Sequence, residues 1–213
     1  MPKYLYADEL HSFPRLRDSM FQDRAYQFKE RLGWDVQLTS KGEEQDEYDA
    51  LNPLYVIWET EAGEHAGSMR LMPTTGRCMV NEHFTDILGG GSIESPFIWE
   101  STRFCLSQKA DRFTAPRLML AAGEAMVRYG VEHCLGVFDA RMIRIYRMIG
   151  ASPDIIGECG KGKDYIGIGL WRLCDSARQT VSKIARVCPT ESQVWFEQNR
   201  ASLNAPENFS LAG

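Results

Sequence analysis

Between Pro14 and Leu32 the apolar positions Leu16, Met20, Phe28 and Leu32 recur at multiples of four, which predicts a helix that Gly33 ends. Arg24 occupies the one place in that stripe where an apolar side chain belongs. A guanidinium on an inward helix face is costly unless carboxylates or a ligand answer it, so the break in pattern carries information. A short apolar stretch at Tyr4 to Tyr6 precedes this helix. After it the period changes from four to two. Residues 54 to 59, LYVIWE, and 66 to 72, AGSMRLM, read as a β-hairpin turning at Gly63, with Arg70 on its second strand. A short helix from Asn81 to Leu88, with Asn81 as its cap, and the loop GGGS lead into residues 97 to 106, FIWESTRFCL. This run is strand-like, yet it contains Glu100 and Arg103. Alternate strand residues face opposite ways, so these two, three apart, point to different faces unless a β-bulge re-aims one of them.

From Thr114 onward helices and strands alternate. A helix runs from Thr114, read as its cap, to Tyr129; HCLGVF, 133 to 138, is a strand; Asp139 caps a helix that ends at Gly150. Strand 165 to 173, helix 175 to 187 and a last helix beyond Pro189 follow, and the chain finishes in a loose tail, SLNAPENFSLAG. Early paired strands followed by alternating elements predict an α/β fold: one mixed sheet with helices on both faces, as a single domain over 1–213.

Composition agrees with one globular domain: 213 residues, 44% hydrophobic and 25% charged, with a net charge of −5. The absence of any run of eighteen apolar residues argues against a membrane span, and the acidic balance argues against broad nucleic-acid binding. The N-terminus lacks the apolar core of a signal peptide, so a cytoplasmic location is expected.

The six cysteines form no CxxC pair and the four histidines no HExxH, so neither a metal site nor a redox pair is expected. Gly157 to Lys163, GECGKGK, fits the glycine-lysine spacing of a phosphate loop. Asp164 stands where Ser or Thr is required, however, and a strand rather than a helix follows, so the segment reads as a Gly/Lys loop. No GxSxG elbow supports a serine hydrolase. The acidic loop KGEEQDEYD, 41 to 49, has five carboxylates against one lysine, with Asp46 and Asp49 flanking Tyr48.

Taken together, Arg24, Phe28, Trp34, Asp46, Asp49, Arg70, Phe84, Glu100 and Arg103 resemble the signature of the acyl-homoserine-lactone synthases, the LuxI-type autoinducer synthases. The segments FKERLGWDV, YDALNPLYV and WESTRF carry most of the likeness. The resemblance implies a fold similar to the N-acetyltransferases (GNAT-like). It implies acylation of S-adenosylmethionine by an acyl thioester, followed by lactone closure and loss of methylthioadenosine, with S-adenosylmethionine a substrate and no tightly bound cofactor. Glu100, Arg103, Asp46 and Asp49 would then be catalytic, with Glu100 as candidate base. Phe28, Trp34, Arg70, Phe84, Ser101 and Thr102 would bind S-adenosylmethionine, and Arg24 would either serve its carboxylate or tie the acidic cluster together. Arg141, Arg144 and Arg147 recur every three residues on one helix and would receive an acyl carrier protein, favoured over acyl-CoA as donor. The alternative is a GNAT-like N-acyltransferase that acylates another amine from acyl-CoA.

Overall fold

The computed structural model describes residues 1–204. Its strands are β1 (Pro2–Tyr6), β2 (Leu54–Glu59), β3 (His65–Pro73), β4 (Ile98–Leu106), β5 (His133–Asp139), β6 (Asp154–Cys159) and β7 (Ile166–Arg172). They form one sheet in the order β1-β2-β3-β4-β5-β7-β6. Every neighbouring pair is antiparallel except β4 and β5. Of the helices, α1 (Pro14–Ala25) and α2 (Met79–His83) precede β4, while α3 (Thr114–Arg128), α4 (Ala140–Ile149), α5 (Asp175–Ala185) and α6 (Pro189–Asn204) follow it. No described helix is long and apolar enough to cross a membrane.

The period of two in β1 and β2 builds two cores at once. Tyr4, Leu54 and Val56 face Leu118, Ala121 and Ala125 of α3. Their neighbours Leu5, Tyr55 and Ile57 face Leu16, Met20 and Phe21 of α1. Burial on both faces fixes these two strands between α1 and α3, at the β1 edge of the sheet. The mixed sheet between two helical layers agrees with the expected α/β class.

Two features of β4 shape the functional region. Its parallel pairing with β5 covers only Ile98, Trp99 and Glu100, opposite His133, Cys134 and Leu135. Beyond that point the strands part, and a side chain on Gly136 would meet the Ser101 carbonyl at 3.3 Å and Trp171 at 3.2 Å. On the other edge, the register with β3 slips between Ser68/Cys105 and Arg70/Thr102. The extra residue is accommodated at Arg103, whose φ is +54°. This is the expected β-bulge, and it turns Arg103 to the same face as Thr102.

Several boundaries differ from the sequence pattern. The predicted helix to Leu32 changes after Ala25 into a π-helical turn, Tyr26–Arg31, closed by Leu32 N–H donating to the Gln27 carbonyl at 3.1 Å. Asn81 caps no helix: its amide pairs with both backbone groups of Ile93, and Cys78 is the residue before α2. Thr114 is the first helical residue of α3, and the carboxylate of Asp111 takes the Phe113 N–H and the Thr114 hydroxyl. Asp139 does cap α4, accepting from Arg141 and Met142 N–H, and Gly150 ends it at φ +73°. Strand β6 went unpredicted: its first half, 154–156, was assigned to no element, and its second half, 157–159, falls in the segment read as a Gly/Lys loop. It is an exposed edge with a bulge at Ile155/Gly157, so its side chains show no alternation. The last helix is present; the tail beyond Asn204 lies outside the described residues.

Candidate active site

Local structure assembles the acidic loop first. Asp46 and Asp49 form a reciprocal cap on the 3-10 turn Glu47–Leu51. The Asp46 carboxylate accepts from Tyr48 and Asp49 N–H at 3.0 and 3.2 Å, and that of Asp49 accepts from Asp46 N–H at 2.8 Å. Upstream, Glu44 pairs with Leu38 in an isolated bridge, and its N–H donates to the Phe21 carbonyl of α1 at 3.1 Å. Its side chain is thereby turned inward and is fully buried.

Three guanidiniums meet these three carboxylates. Arg24 grips Asp49 with two parallel bonds, 3.0 and 2.9 Å, and donates Nε to Glu44 at 2.6 Å. Arg70 binds both Asp46 oxygens, donates to Asp49 at 2.8 Å, and gives its Nε to the Thr102 hydroxyl at 2.9 Å. Arg103, brought round by the bulge, contacts Glu44 through Nε at 3.1 Å and through Nη2 at 3.0 Å, and Asp46 through Nη2 at 2.7 Å. The formal charges cancel within a cluster whose Arg24 and Arg70 are 1% and 0% exposed. Burial opposes every one of these charges, and mutual pairing answers it. Burial would raise the Asp49 pKa, yet Arg24 and then Arg70 hold it well below its ordinary 3.8. Burial would likewise lower Arg24, yet Asp49 and Glu44 hold it above its usual value.

The cluster stands behind one wall of a cavity of about 1020 Å³ that occupies the parting of β4 and β5. Phe28, Trp34, Phe84, Ser101, Thr102 and Arg103 line it. The Phe28 and Trp34 rings are stacked, 5.1 Å apart and 8° from parallel, and Arg103 lies over Phe28 at 5.5 Å. Arg103 is therefore the member of the cluster that reaches the cavity, and its Nη1 makes none of the bonds above. Arg24, Arg70, Asp46 and Asp49 are absent from the lining. Of the two roles open to Arg24, the structure shows the tie to the acidic cluster, and Arg70, expected to bind S-adenosylmethionine, likewise pairs with the acidic groups that hold Arg103.

Glu100 also lies off the cavity. Its oxygens accept the Met79 and Val80 N–H groups at 2.9 and 2.7 Å, where they stand in for the side-chain cap that α2 lacks. Burial raises its pKa, against the pull of those two N–H bonds. On α4, Arg141 lines the cavity rim and pairs with Asp139, whereas Arg144 and Arg147 are exposed and have no ion pair among the described residues. Sequence reasoning missed Glu44. The available signal was its place in the same acidic loop, two residues before Asp46.

A sheet that opens between two parallel strands over a cavity is the frame of an N-acyltransferase. An acyl-CoA N-acyltransferase from Pseudomonas aeruginosa shares it at a TM-score of 0.53 and 15% identity, covering 81% of this chain and 98% of that one. The chain belongs to the autoinducer synthase family, whose profile matches residues 9–181. An acyl-homoserine-lactone synthase of Rhizobium etli is 33% identical over 195 residues, covering 88% of this chain and 92% of the relative. A CoA-dependent acyl-homoserine lactone synthase, BjaI, solved with SAM and isopentyl-CoA, superposes with a TM-score of 0.78 at 20% identity, covering 88% of this chain and 90% of that one.

Glu44 makes the cluster testable. Glu44→Ala leaves Arg24 and Arg103 short of a carboxylate and lowers the unfolding free energy by about 3 to 5 kcal/mol, measured by urea denaturation at pH 7. Repeated at lower pH, the wild type shows the contribution of Asp49. The folded value lies below the ordinary 3.8, so the unfolded chain takes up this proton first. The stabilisation is complete above about pH 4 and is lost as the pH falls through the depressed folded value.

Proposed function

We propose that the enzyme acylates the α-amine of S-adenosylmethionine from an acyl thioester and then closes the lactone. The amine attacks the thioester carbonyl and the thiol leaves. The methionine carboxylate next attacks its own γ-carbon, and methylthioadenosine departs. Arg103 carries this reading, because it lines the cavity while a charge-balanced cluster fixes its guanidinium through Nε and Nη2. A planar guanidinium held in this way suits the substrate carboxylate. The stacked faces of Phe28 and Trp34 suit the sulfonium. Phe84 completes that rim, and the Ser101 and Thr102 stretch carries the reacting centre. BjaI, which shares this fold and was solved with SAM and isopentyl-CoA, supports the pairing of S-adenosylmethionine with an acyl thioester. The whole chain acts as one domain in this reading, in the cytoplasm.

The amine must be neutral to attack. An α-amine with a pKa of about 7.7 to 8.0 is roughly one-tenth neutral at pH 7, a cost of about 1.4 kcal/mol. Positioning therefore outweighs base strength. Backbone N–H groups of β4 beyond its last pairing with β5 are available to the tetrahedral oxyanion. Glu100 is read as a positioning residue that anchors α2, whose Met79 lines the cavity. Glutamine keeps one acceptor oxygen and puts an NH2 donor where the second carboxylate oxygen accepts an N–H. Glu100→Gln should then raise the KM for S-adenosylmethionine and lower the thermal midpoint while the pH profile of kcat keeps its shape. Loss of a limb of that profile would make Glu100 the base.

An acyl carrier protein is the donor we favour, supported by the exposed, unpaired Arg144 and Arg147 on a chain of net charge −5. Arg144→Glu with Arg147→Glu should raise the KM for acyl-carrier-protein substrate about tenfold or more and remove most of its salt dependence, with KM for S-adenosylmethionine unchanged. Normal handling of that substrate, or a salt-insensitive preference for acyl-CoA, overturns this assignment. Incubation with S-adenosylmethionine and acyl thioesters, followed by mass spectrometry, tests the reaction itself. Methylthioadenosine and lactone should appear together; an acylated amine of another kind would favour a general N-acyltransferase.

A further inference from the structure

From the rim at Trp34 and Arg103 the cavity continues through the β4–β5 opening to the far side of the sheet. Phe104, Met119, Met126, Ile145, Trp171 and Val181 make its wall apolar there. Charged side chains interrupt that wall, and of these Glu124 and Arg178 face each other across it. Glu124 of α3 is 5% exposed, and its Oε1 accepts from the Ser192 hydroxyl of α6 at 2.6 Å. Its Oε2 lies 3.8 Å from Arg178 Nη1 on α5. Arg178 also donates to Asp175 at 2.8 Å, and Gln193 of α6 can present its side-chain carbonyl to Nη1 at 2.6 Å and to Nη2 at 3.1 Å.

Arg178 borders a second hollow as well, of about 350 Å³, together with Gln179, Ser182 and Val187. It is thus the partition between the two spaces. The partition is incompletely bonded: Arg178 Nε and Ser182 Oγ, both buried, have no hydrogen-bond partner among the described residues. A guanidinium in a mainly apolar wall repels the terminal methyl of a chain that reaches it, because the methyl would strip water or partners from the charge.

We propose that the Glu124–Arg178 pair is the floor of the acyl site and limits the length of the acyl group this enzyme transfers. The inference rests on the synthase reading and adds a specificity determinant to it. In an apolar pocket one methylene too many is worth about ten- to two-hundred-fold in discrimination. A floor that can be removed should therefore show clearly. Arg178→Ala joins the hollow to the cavity, and the double variant Glu124→Gln with Arg178→Ala does so without leaving a lone buried carboxylate.

The experiment measures kcat/KM over acyl thioesters from four to fourteen carbons for wild type, both variants and Arg178→Met, which keeps the bulk of the partition. With Arg178→Ala or the double variant, chains at least two carbons longer than the wild-type optimum should gain tenfold or more relative to that optimum. Arg178→Met should move the profile less, and KM for S-adenosylmethionine should stay within twofold in all. An unchanged length profile in the double variant, with its thermal unfolding still cooperative, overturns the floor. So does a loss that is uniform across all lengths. Should the wild type form no lactone from any thioester, the synthase reading fails instead, which separates the two results.

Discussion

Three arginines and three acidic side chains, mutually paired out of water, are the constraint on which the functional half of this molecule depends. Each charge alone would be costly to bury, and together they hold four segments in one arrangement: α1, the acidic loop, β3 and β4. The arrangement has one outlet. Arg103 reaches the cavity because a bulge with φ +54° turns it there, and Glu44 and Asp46 prevent it from swinging away. The cluster is thus more than a stabilising feature, since it converts fold rigidity into a fixed donor at the substrate wall.

The cavity itself arises from a separate feature, the early end of pairing between β4 and β5. Where the strands stay together, at Glu100 and Leu135, the sheet is closed and Glu100 fastens α2 to it. Where they part, the space runs from an aromatic, cationic rim to an apolar interior. The polar rim and the apolar interior therefore lie on opposite faces of one sheet. A two-substrate reaction needs that separation, because the amine and the thioester must meet while their remaining parts stay apart.

Much of this was legible in the sequence, for reasons tied to individual residues. Arg24 announced itself as a charge in an apolar helical stripe, and the spacing of Glu100 and Arg103 required the bulge that is present. The hairpin and Asp139 at its cap obeyed local rules. Glu44 was not legible because it lies in a loop, where no period tells inward from outward; its direction comes from the tertiary bond between its N–H and Phe21. Strand β6 escaped because an exposed edge needs no alternation and Gly157 suggested a loop. The placement of Arg24 and Arg70 behind the wall, rather than on it, follows from which carboxylates reach them first, and that is a matter of three-dimensional packing.

On the synthase reading the ionic cluster holds Arg103 for S-adenosylmethionine, and Asp46 is the carboxylate that joins Arg103 to Arg70. Calorimetric titration of S-adenosylmethionine into wild type and into Asp46→Asn, with circular dichroism on both, tests it directly. Affinity at least tenfold weaker in the variant, with the folded spectrum retained, is the expected result. Wild-type affinity in a folded Asp46→Asn protein would contradict it.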